Sequence, residues 1–527
     1  MNQTQSSITQ IGFWAVLLIG VFAWAPATYP GYWQGLEGFL PVFNVTSNGP
    51  VADIGQLPDL WRGSGRGTFL LAQPLVALGG GAIGAVRLSF IIAFILGGLG
   101  TYIWLRPRFG DRSAGLAGLI YMLMPTFLAT VYVRGSLGDA LVMALFPVIM
   151  AGLQLFVIER SPSAIGVAVL SQLWLWRIQP GLALFVVSFA FLFILLVEQD
   201  MLTLLAIGMC TVAGLLSLWP YWSIYAPSSI IFHEHFVYFF QLFGNQWKVA
   251  PSIPGWQDGY PFQLGFVVWG FGLISLWAWW QSTGQSTRQP VGTHRFLWFM
   301  LGAAALLTLL SLELSNPLWQ WSQAHRLLTY PWQILLIASL PLAVLAGAMV
   351  FLLPALQNPA YWAGTLAIVV LSSHPYLTTQ FTDYQPNERP IAVYGARQEV
   401  LLLEAEIVQT EGEATAQVEI AWQALQPMDF DYNVFFQAIE DENGATNVVA
   451  QLDTQPVQGT RPATSWAVGE VITDTYSLDL SDYYSSGKDA SNLQYHLGYY
   501  NWTDGSRLMV RESITGIHDN KLVLYGR

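Results

Sequence analysis

Apolar runs of about 17–25 residues recur along the first two-thirds of the chain, the length needed to cross a bilayer as a helix. This pattern excludes an ordinary soluble fold. Hydrophobic residues make up 54% of the sequence and charged residues 10%, against about 25% charged in soluble domains. The runs predict about 11 spans, at 11–28, 84–105, 115–132, 138–158, 163–177, 180–197, 202–220, 262–281, 295–313, 328–352 and 360–373. Pro180 divides the short fifth span from the sixth, because proline opens a helix well and interrupts one badly. Residues 11–28 read as a retained span: no basic residue precedes them and no small-residue cleavage site follows.

The charge is divided between two parts. From Ser373 onward there are 22 acidic and 8 basic residues, a net of −14, while the remainder carries +2. An acidic tail behind a near-neutral apolar body predicts two domains with different solvents, 1–374 and 375–527. In the tail, alternation in AQVEIAW (416–422), DYNVFFQAIE (431–440), TYSLDL (475–480) and LQYHLGYY (493–500) reads as half-buried antiparallel strands. A β-sandwich fits, with hairpin turns at Glu442-Asn443-Gly444 and Thr503-Asp504-Gly505. No basic face suits nucleic acid. The single cysteine, Cys210, lies inside an apolar run and reads as a small buried hydrophobe.

Orientation follows from basic residues in loops. With the N-terminus inside, inner loops carry Arg106, Arg108, Arg112, Arg160, Arg288 and Arg295, and outer loops an equal number. The inner loops are shorter, so their basic density is higher, as the positive-inside rule requires. An odd number of spans then places the tail outside, an extracytoplasmic domain on a multi-pass protein of a bacterial plasma membrane.

Two long outer loops, 29–83 and 221–261, are rich in Trp, Pro and Gly. Long loops in compact proteins are usually functional or disordered, and these aromatics argue against disorder. The first holds Glu37, Asp53, Asp59, Arg62 and Arg66; the outer side adds Arg134, Asp139, Arg177, Asp258, Glu313 and Arg326. Ionisable groups at membrane depth are costly, which makes them candidates for function. Arginines clamp phosphate oxygens, and a carboxylate can hold a divalent cation or take a hydroxyl proton. The plain alternative is interfacial residues that pair with one another. His233-Glu234-His235 has no further ligand at a recognisable spacing, so no metal site is assigned.

Several blocks then resemble a known family. They are GYWQGLEGF, PDLWRGSGRGTFLLAQPL, YVRGSLGDALVMALFPVIMAGL, LFGNQW…DGYPFQLG and LLTYPWQILL, with AWQALQPMDFDYNVFF and LGYYNWTDGSRLMV in the tail. In this order they resemble membrane proteins of the GT-C glycosyltransferase superfamily, in the group labelled 6-pyruvoyl-tetrahydropterin synthase-related membrane proteins. The resemblance implies a GT-C-like helical body with a C-terminal all-β sandwich. It also implies transfer of a sugar from a polyprenyl-phosphate carrier in the membrane lipid.

The implied catalytic residue is Glu37, as base or cation-site residue, with Asp53 next. Arg62, Arg66, Arg134, Asp139, Arg177, Asp258 and Arg326 are the implied substrate-binding set. Departures from the family pattern are plain. Leu36-Glu37-Gly38 stands where His-Asp-Gly is expected, Pro41 and Asn44 stand where His and Arg are, Arg177 replaces a histidine, and Gln333 an arginine. Two readings therefore stand side by side. One is an active transferase, with the need for a divalent cation left open. The other is a non-catalytic subunit of a membrane or cell-surface assembly, whose tail aromatics contact protein or glycan.

Overall fold

The computed structural model describes residues 10–33, 35–46, 65–219, 231–244, 247–283, 292–386, 390–395, 398–409, 414–442, 445–488, 493–513 and 515–525. The chain forms two compact units, 1–30 with 48–380 and 31–47 with 381–527.

The first unit is a helical membrane body. Its helical stretches are α1 (Ile11–Thr28), α2 (Gly81–Phe109), α3 (Asp111–Arg134), α4 (Leu137–Glu159), α5 (Pro162–Ile178), α6 (Pro180–Glu198), α7 (Met201–Leu218), α8 (Phe266–Thr283), α9 (Thr293–Ser311), α10 (Pro331–Leu352) and α11 (Pro359–Ser373). Every expected span is found as a helix, with ends shifted by a few residues. Eight, rather than eleven, are long and apolar enough among the described residues to cross a membrane. The others, α5, α8 and α11, have 17, 18 and 15 residues. At about 1.5 Å per residue, α5 and α11 fall short of the roughly 30 Å apolar core.

Burial separates inner from outer helices. The apolar windows of α3 and α10 are 94% and 89% buried, those of α7 and α9 only 28% and 33%. Leu205, Met209 and Leu216 on α7 are exposed apolar side chains, suited to lipid. Inside the body, small residues let backbones close in. A Cβ on Gly118 of α3 would sit 2.6 Å from the Gly98 carbonyl oxygen of α2, and one on Gly347 of α10 would meet Ala117 Cβ at 2.4 Å.

The second unit is all β. Its strands are β1 (Tyr32–Trp33), β2 (Phe381–Thr382), β3 (Ala392–Tyr394), β4 (Val400–Gln409), β5 (Thr415–Ala424), β6 (Asn433–Glu442), β7 (Ala445–Thr454), β8 (Val471–Asp479), β9 (Leu493–Tyr500), β10 (Val510–Ser513), β11 (Gly516–His518) and β12 (Lys521–Tyr525). Two five-stranded antiparallel sheets, ordered β10-β3-β4-β5-β8 and β11-β12-β9-β6-β7, face each other. Alternate residues turn inward: Val418, Ile420 and Trp422 from one sheet, Val434, Phe436, Tyr495, Leu497 and Tyr499 from the other. The sandwich read from the alternation is observed. The turn at Glu442-Asn443-Gly444 lies partly outside the described residues.

The boundary departs from 374/375. The start of the loop expected to belong to the membrane body, 31–47, joins the sandwich unit. The cause is local pairing. Tyr32 and Trp33 form a ladder with Thr382 and Phe381, and Phe39 N–H donates to Leu425 O at 2.6 Å. Gly38 (φ +47) is required here, because a Cβ would lie 2.1 Å from that same carbonyl oxygen.

Candidate functional site

Helix α3 breaks at Met124, whose extended backbone precedes Pro125, and ends in a wide π-type turn over Thr130–Arg134. Gly135 then takes the left-handed conformation (φ 72, ψ 21), which only glycine adopts without strain. The chain reverses within two residues and α4 begins at Leu137 with Asp139 in its first turn. This hairpin brings Arg134 at the end of one helix against Asp139 at the start of the next. They form a salt bridge with side-chain exposures of 15% and 2%. The acidic residue also complements the positive N-terminal end of α4.

Two glutamines flank the carboxylate. Gln179 sits at the break between α5 and α6, in an extended conformation (φ −152, ψ 94) before Pro180. Gln333 opens α10 and is fully buried; its Oε1 accepts the backbone N–H groups of Thr329 (3.0 Å) and Tyr330 (3.1 Å). That arrangement turns the Gln333 amide nitrogen away from its own turn and toward Asp139. Both glutamine side chains are within reach of Asp139, although Gln333 Nε2 makes no hydrogen bond of good geometry.

Aromatic rings cover the arginine. Its Cζ lies 5.2 Å from the Trp332 ring centroid and 6.0 Å from that of Tyr330, a favourable cation–π arrangement. Trp332 is sandwiched between Tyr330 (4.9 Å, 20°) and Tyr260 (4.6 Å, 24°). His235 meets the edge of the Tyr330 ring at 5.2 Å.

A second polar chain starts at His235. Ser252 Oγ donates to Asp258 Oδ2 at 2.5 Å and lies 3.0 Å from His235 Nδ1. With the serine proton committed to Asp258, His235 Nδ1 is the donor, which fixes the neutral ring's proton on that nitrogen. Tyr260 N–H donates to Asp258 Oδ1 at 2.9 Å. Burial pushes the Asp258 carboxyl above the usual carboxylate range, against the opposing bonds from Ser252 and the backbone. Burial likewise lowers His235, with Glu234 opposing. A carboxyl–hydroxyl–imidazole chain of this kind can pass a proton along its length.

The remaining expected residues are dispersed. Glu37 is half-buried in a turn of the second unit, where Leu40 N–H closes on its carbonyl at 2.9 Å. Asp53 and Arg62 lie outside the described residues, as does the side chain of Arg66. Arg177 is exposed in the last turn of α5, two residues before Gln179. Arg326 is exposed on the short turn Ala324–Leu327. Two narrow clefts lie beside α3, and neither is lined by a charged side chain. Among the described residues, no three His, Cys, Asp or Glu side chains converge as metal ligands. His233 instead lies 2.7 Å from Asn316 Oδ1.

Sequence reasoning missed Gln179 and Ser252 as members of these clusters. Gln179 had a signal, a polar residue immediately before a proline inside an apolar run. Ser252 had none, because its partners lie 17 residues before it and six after it in an irregular loop.

No family model matches the chain, and no curated protein matches it. Among solved structures, the chain is similar to the apo crystal structure of ArnT from Cupriavidus metallidurans. The identity is 14%, over 70% of this chain and 77% of that one, with a TM-score of 0.26. A likeness at that level carries no weight for activity.

Proposed function

We propose that the chain is a GT-C-type glycosyltransferase that takes its sugar from a polyprenyl-phosphate carrier, in the 6-pyruvoyl-tetrahydropterin synthase-related group. The observation that carries the reading is the buried Arg134–Asp139 pair. It lies within a stretch of the sequence that supports the resemblance, and ion pairs inside membrane bundles are functional by default. Glu37 takes the proton of the acceptor hydroxyl. The acceptor oxygen bonds to the anomeric carbon, the bond from that carbon to the carrier phosphate breaks, and the phosphate leaves on the lipid. Arg62, Arg66 and Arg326 serve the phosphate charge. Arg134 and Asp139 act as positioning residues, because each already holds the other. The protein resides in a bacterial plasma membrane with the sandwich outside.

A second reading is favoured by one specific observation. Asp139 is enclosed by its own chain, at 1% exposure, with Arg134, Gln179 and Gln333 around it. A scaffold whose site is filled by its own side chains suits a non-catalytic subunit of a membrane or cell-surface assembly.

The test is full-length protein purified gently from its native membrane, with mass spectrometry of bound lipid and a transfer assay on that lipid. The transferase reading expects a co-purifying polyprenyl-phosphate lipid and loss of transfer in Glu37→Gln with folding intact. A fully active Glu37→Gln removes Glu37 from its role. Absence of the lipid, with a stoichiometric protein partner instead, overturns the transferase reading in favour of the second.

A further inference from the structure

The long loop after α7 contains a short strap, 237–243, that joins two helix ends. Val237 N–H donates to Ser311 O at 2.9 Å, and Glu313 N–H donates to Val237 O at 3.3 Å. These bonds dock the strap on the last turn of α9. At its other end the Phe243 ring stacks on Trp269, in the first turn of α8, at 4.4 Å and 19°. The end of α9 and the start of α8 therefore lie on one side of the bundle.

The strap spends its polar groups inward. Gln241 Oε1 accepts Tyr238 N–H at 2.8 Å, and its Nε2 donates to the carbonyls of Asp258 (3.1 Å) and Trp256 (3.3 Å). Leu264 N–H closes on Leu242 O at 3.1 Å, and the Leu242 side chain is buried. The outward groups are apolar. Phe239, Phe240 and Phe243 are each more than half exposed, as is Trp256 beside them.

The turn and helix that follow α9, 313–322, repeat this arrangement. Trp319 anchors them: it is buried, its Nε1–H donates to Leu310 O at 2.9 Å, and its ring lies 5.1 Å from Phe232, just before the strap. Leu314, Leu318 and Trp321, four and three residues apart, share the opposite helical face and are exposed. The five exposed aromatic rings of the two elements present on the order of 500 Å². That is about what the largest apolar patch on a soluble monomer reaches. Here the patch also runs on into Leu306 and Leu309 of α9 and Phe266 and Leu273 of α8, exposed apolar side chains of the membrane body.

We propose that the strap and the helix after α9 lie in the headgroup region of a phospholipid bilayer, with Phe240, Trp256, Leu318 and Trp321 against lipid. Continuity selects the occupant. The patch prolongs the surface that α9, only 33% buried over its apolar window, presents to lipid. Short elements with one anchored face and Trp, Phe and Leu on the other have the build of an interfacial segment. Gln241 ties the strap to the Asp258 carbonyl, so this anchoring holds the His235–Ser252–Asp258 chain at headgroup depth. The proposal rests on the membrane body and not on the transferase reading.

The test uses full-length protein in phosphatidylcholine vesicles, with Cys210→Ser as the parent, because Cys210 is the single cysteine. Phe240→Cys, Trp256→Cys, Leu318→Cys and Trp321→Cys each carry an NBD label. Quenching is read with lipids that bear a nitroxide near the headgroup or near the chain end. Met209→Cys, exposed midway along α7, is the deep-lipid control, and Thr503→Cys, on an exposed turn of the sandwich, the water control. Unchanged thermal unfolding controls for folding. All four labels are expected to emit to the blue of the Thr503 label. They should be quenched more by the headgroup nitroxide than by the chain-end one, as a depth of roughly 5–10 Å requires. Labels on either element as wet as that at Thr503 overturn the proposal. So do labels shielded from water but quenched by neither lipid, the signature of a second copy or another protein surface over the patch.

Discussion

The Arg134–Asp139 pair makes a quantitative claim about the membrane body. Asp139 is 1% exposed, and its side chain is enclosed by Arg134, Gln179 and Gln333. Removing one partner of a buried pair leaves an uncompensated charge, which costs about 3–5 kcal/mol. Here the bare arginine keeps some support. It lies over Trp332 and Tyr330 and retains 15% side-chain exposure, and cation–π contact is worth about 0.5–2 kcal/mol. Asp139→Asn is therefore expected to destabilise by about 2–4 kcal/mol. Replacing both partners with apolar residues removes both charges, and such replacements are often neutral within about 1 kcal/mol or stabilising. Arg134→Met/Asp139→Leu is expected to recover most of the loss that either single change causes. The assay is reversible unfolding in mixed micelles, with the four corners of a double-mutant cycle. Additive losses, or single variants within about 0.5 kcal/mol of the parent, would refute the argument that these charges depend on each other. Sugar transfer, the activity proposed above, would supply a second readout: a stable double variant without transfer would mean the charges position that reaction rather than only hold the bundle.

Three other outcomes are expected. His235 is held below its ordinary value by burial, so the folded chain binds fewer protons there than the unfolded chain. Its contribution is complete above about pH 6.5 and is lost as pH falls toward the folded value; Asp258, raised by burial, has the opposite sign, stabilising as pH falls through the carboxylate range. Hydrogen exchange over residues 247–264 should lose protection between pH 8 and pH 5.5, and His235→Gln should flatten that change; an unchanged profile removes His235 as its cause. Asp200 caps α7, accepting from Thr203 N–H (2.9 Å) and Oγ1 (2.7 Å), and pairs with the more exposed Arg160. Asp200→Ala should cost about 1 kcal/mol, while Asp200→Asn and Arg160→Gln should each cost less, because the Arg160 pair is exposed to solvent, all by thermal unfolding. Trp422 is fully buried in the sandwich, 4.7 Å from Tyr499 and 5.5 Å from Tyr394. Trp422→Ala should cost about 3–5 kcal/mol, read by denaturant titration.

The helices and the sandwich were legible because their signals are local. Eleven apolar runs became eleven helices, since a span is a property of consecutive residues. The tail strands followed their period-two alternation, since each exposes one face to a core. The division of the first loop was not legible. Nothing in GYWQGLEGF announces a ladder with Phe381 and Thr382, about 350 residues away, and an edge pairing of two residues leaves no periodic trace. The candidate site divided the same way. Arg134 and Asp139 stood out in the sequence only singly, as ionisable residues at a span boundary, and their pairing across the Gly135 turn comes from the structure. Gln179, Gln333 and the His235–Ser252–Asp258 chain assemble from loops and helix ends, whose positions follow from tertiary packing.

The chemistry of the pair also depends on the neutral residue at 333, where the proposed resemblance expects an arginine. An arginine at position 333 would place a second cation beside Arg134, where only an anion could relieve it. Glutamine removes that demand: Gln333 spends its oxygen on two backbone N–H groups of its own turn and leaves only a neutral nitrogen near Asp139. One arginine and one aspartate then balance without a ligand. A neutral side chain at 333 is what lets the Arg134–Asp139 pair balance. If the proposed resemblance holds, introducing that arginine charge, in Gln333→Arg, should raise the affinity of the membrane body for phosphate-bearing lipid. The same change should lower stability in the absence of that lipid, by about 1–3 kcal/mol from overpacking and unpaired charge. Lipid-dependent recovery of stability in vesicles with and without a polyprenyl phosphate measures both. If Gln333→Arg is equally stable in the two, position 333 does not face a phosphate site, and the resemblance at Pro331–Gln333 has no functional content.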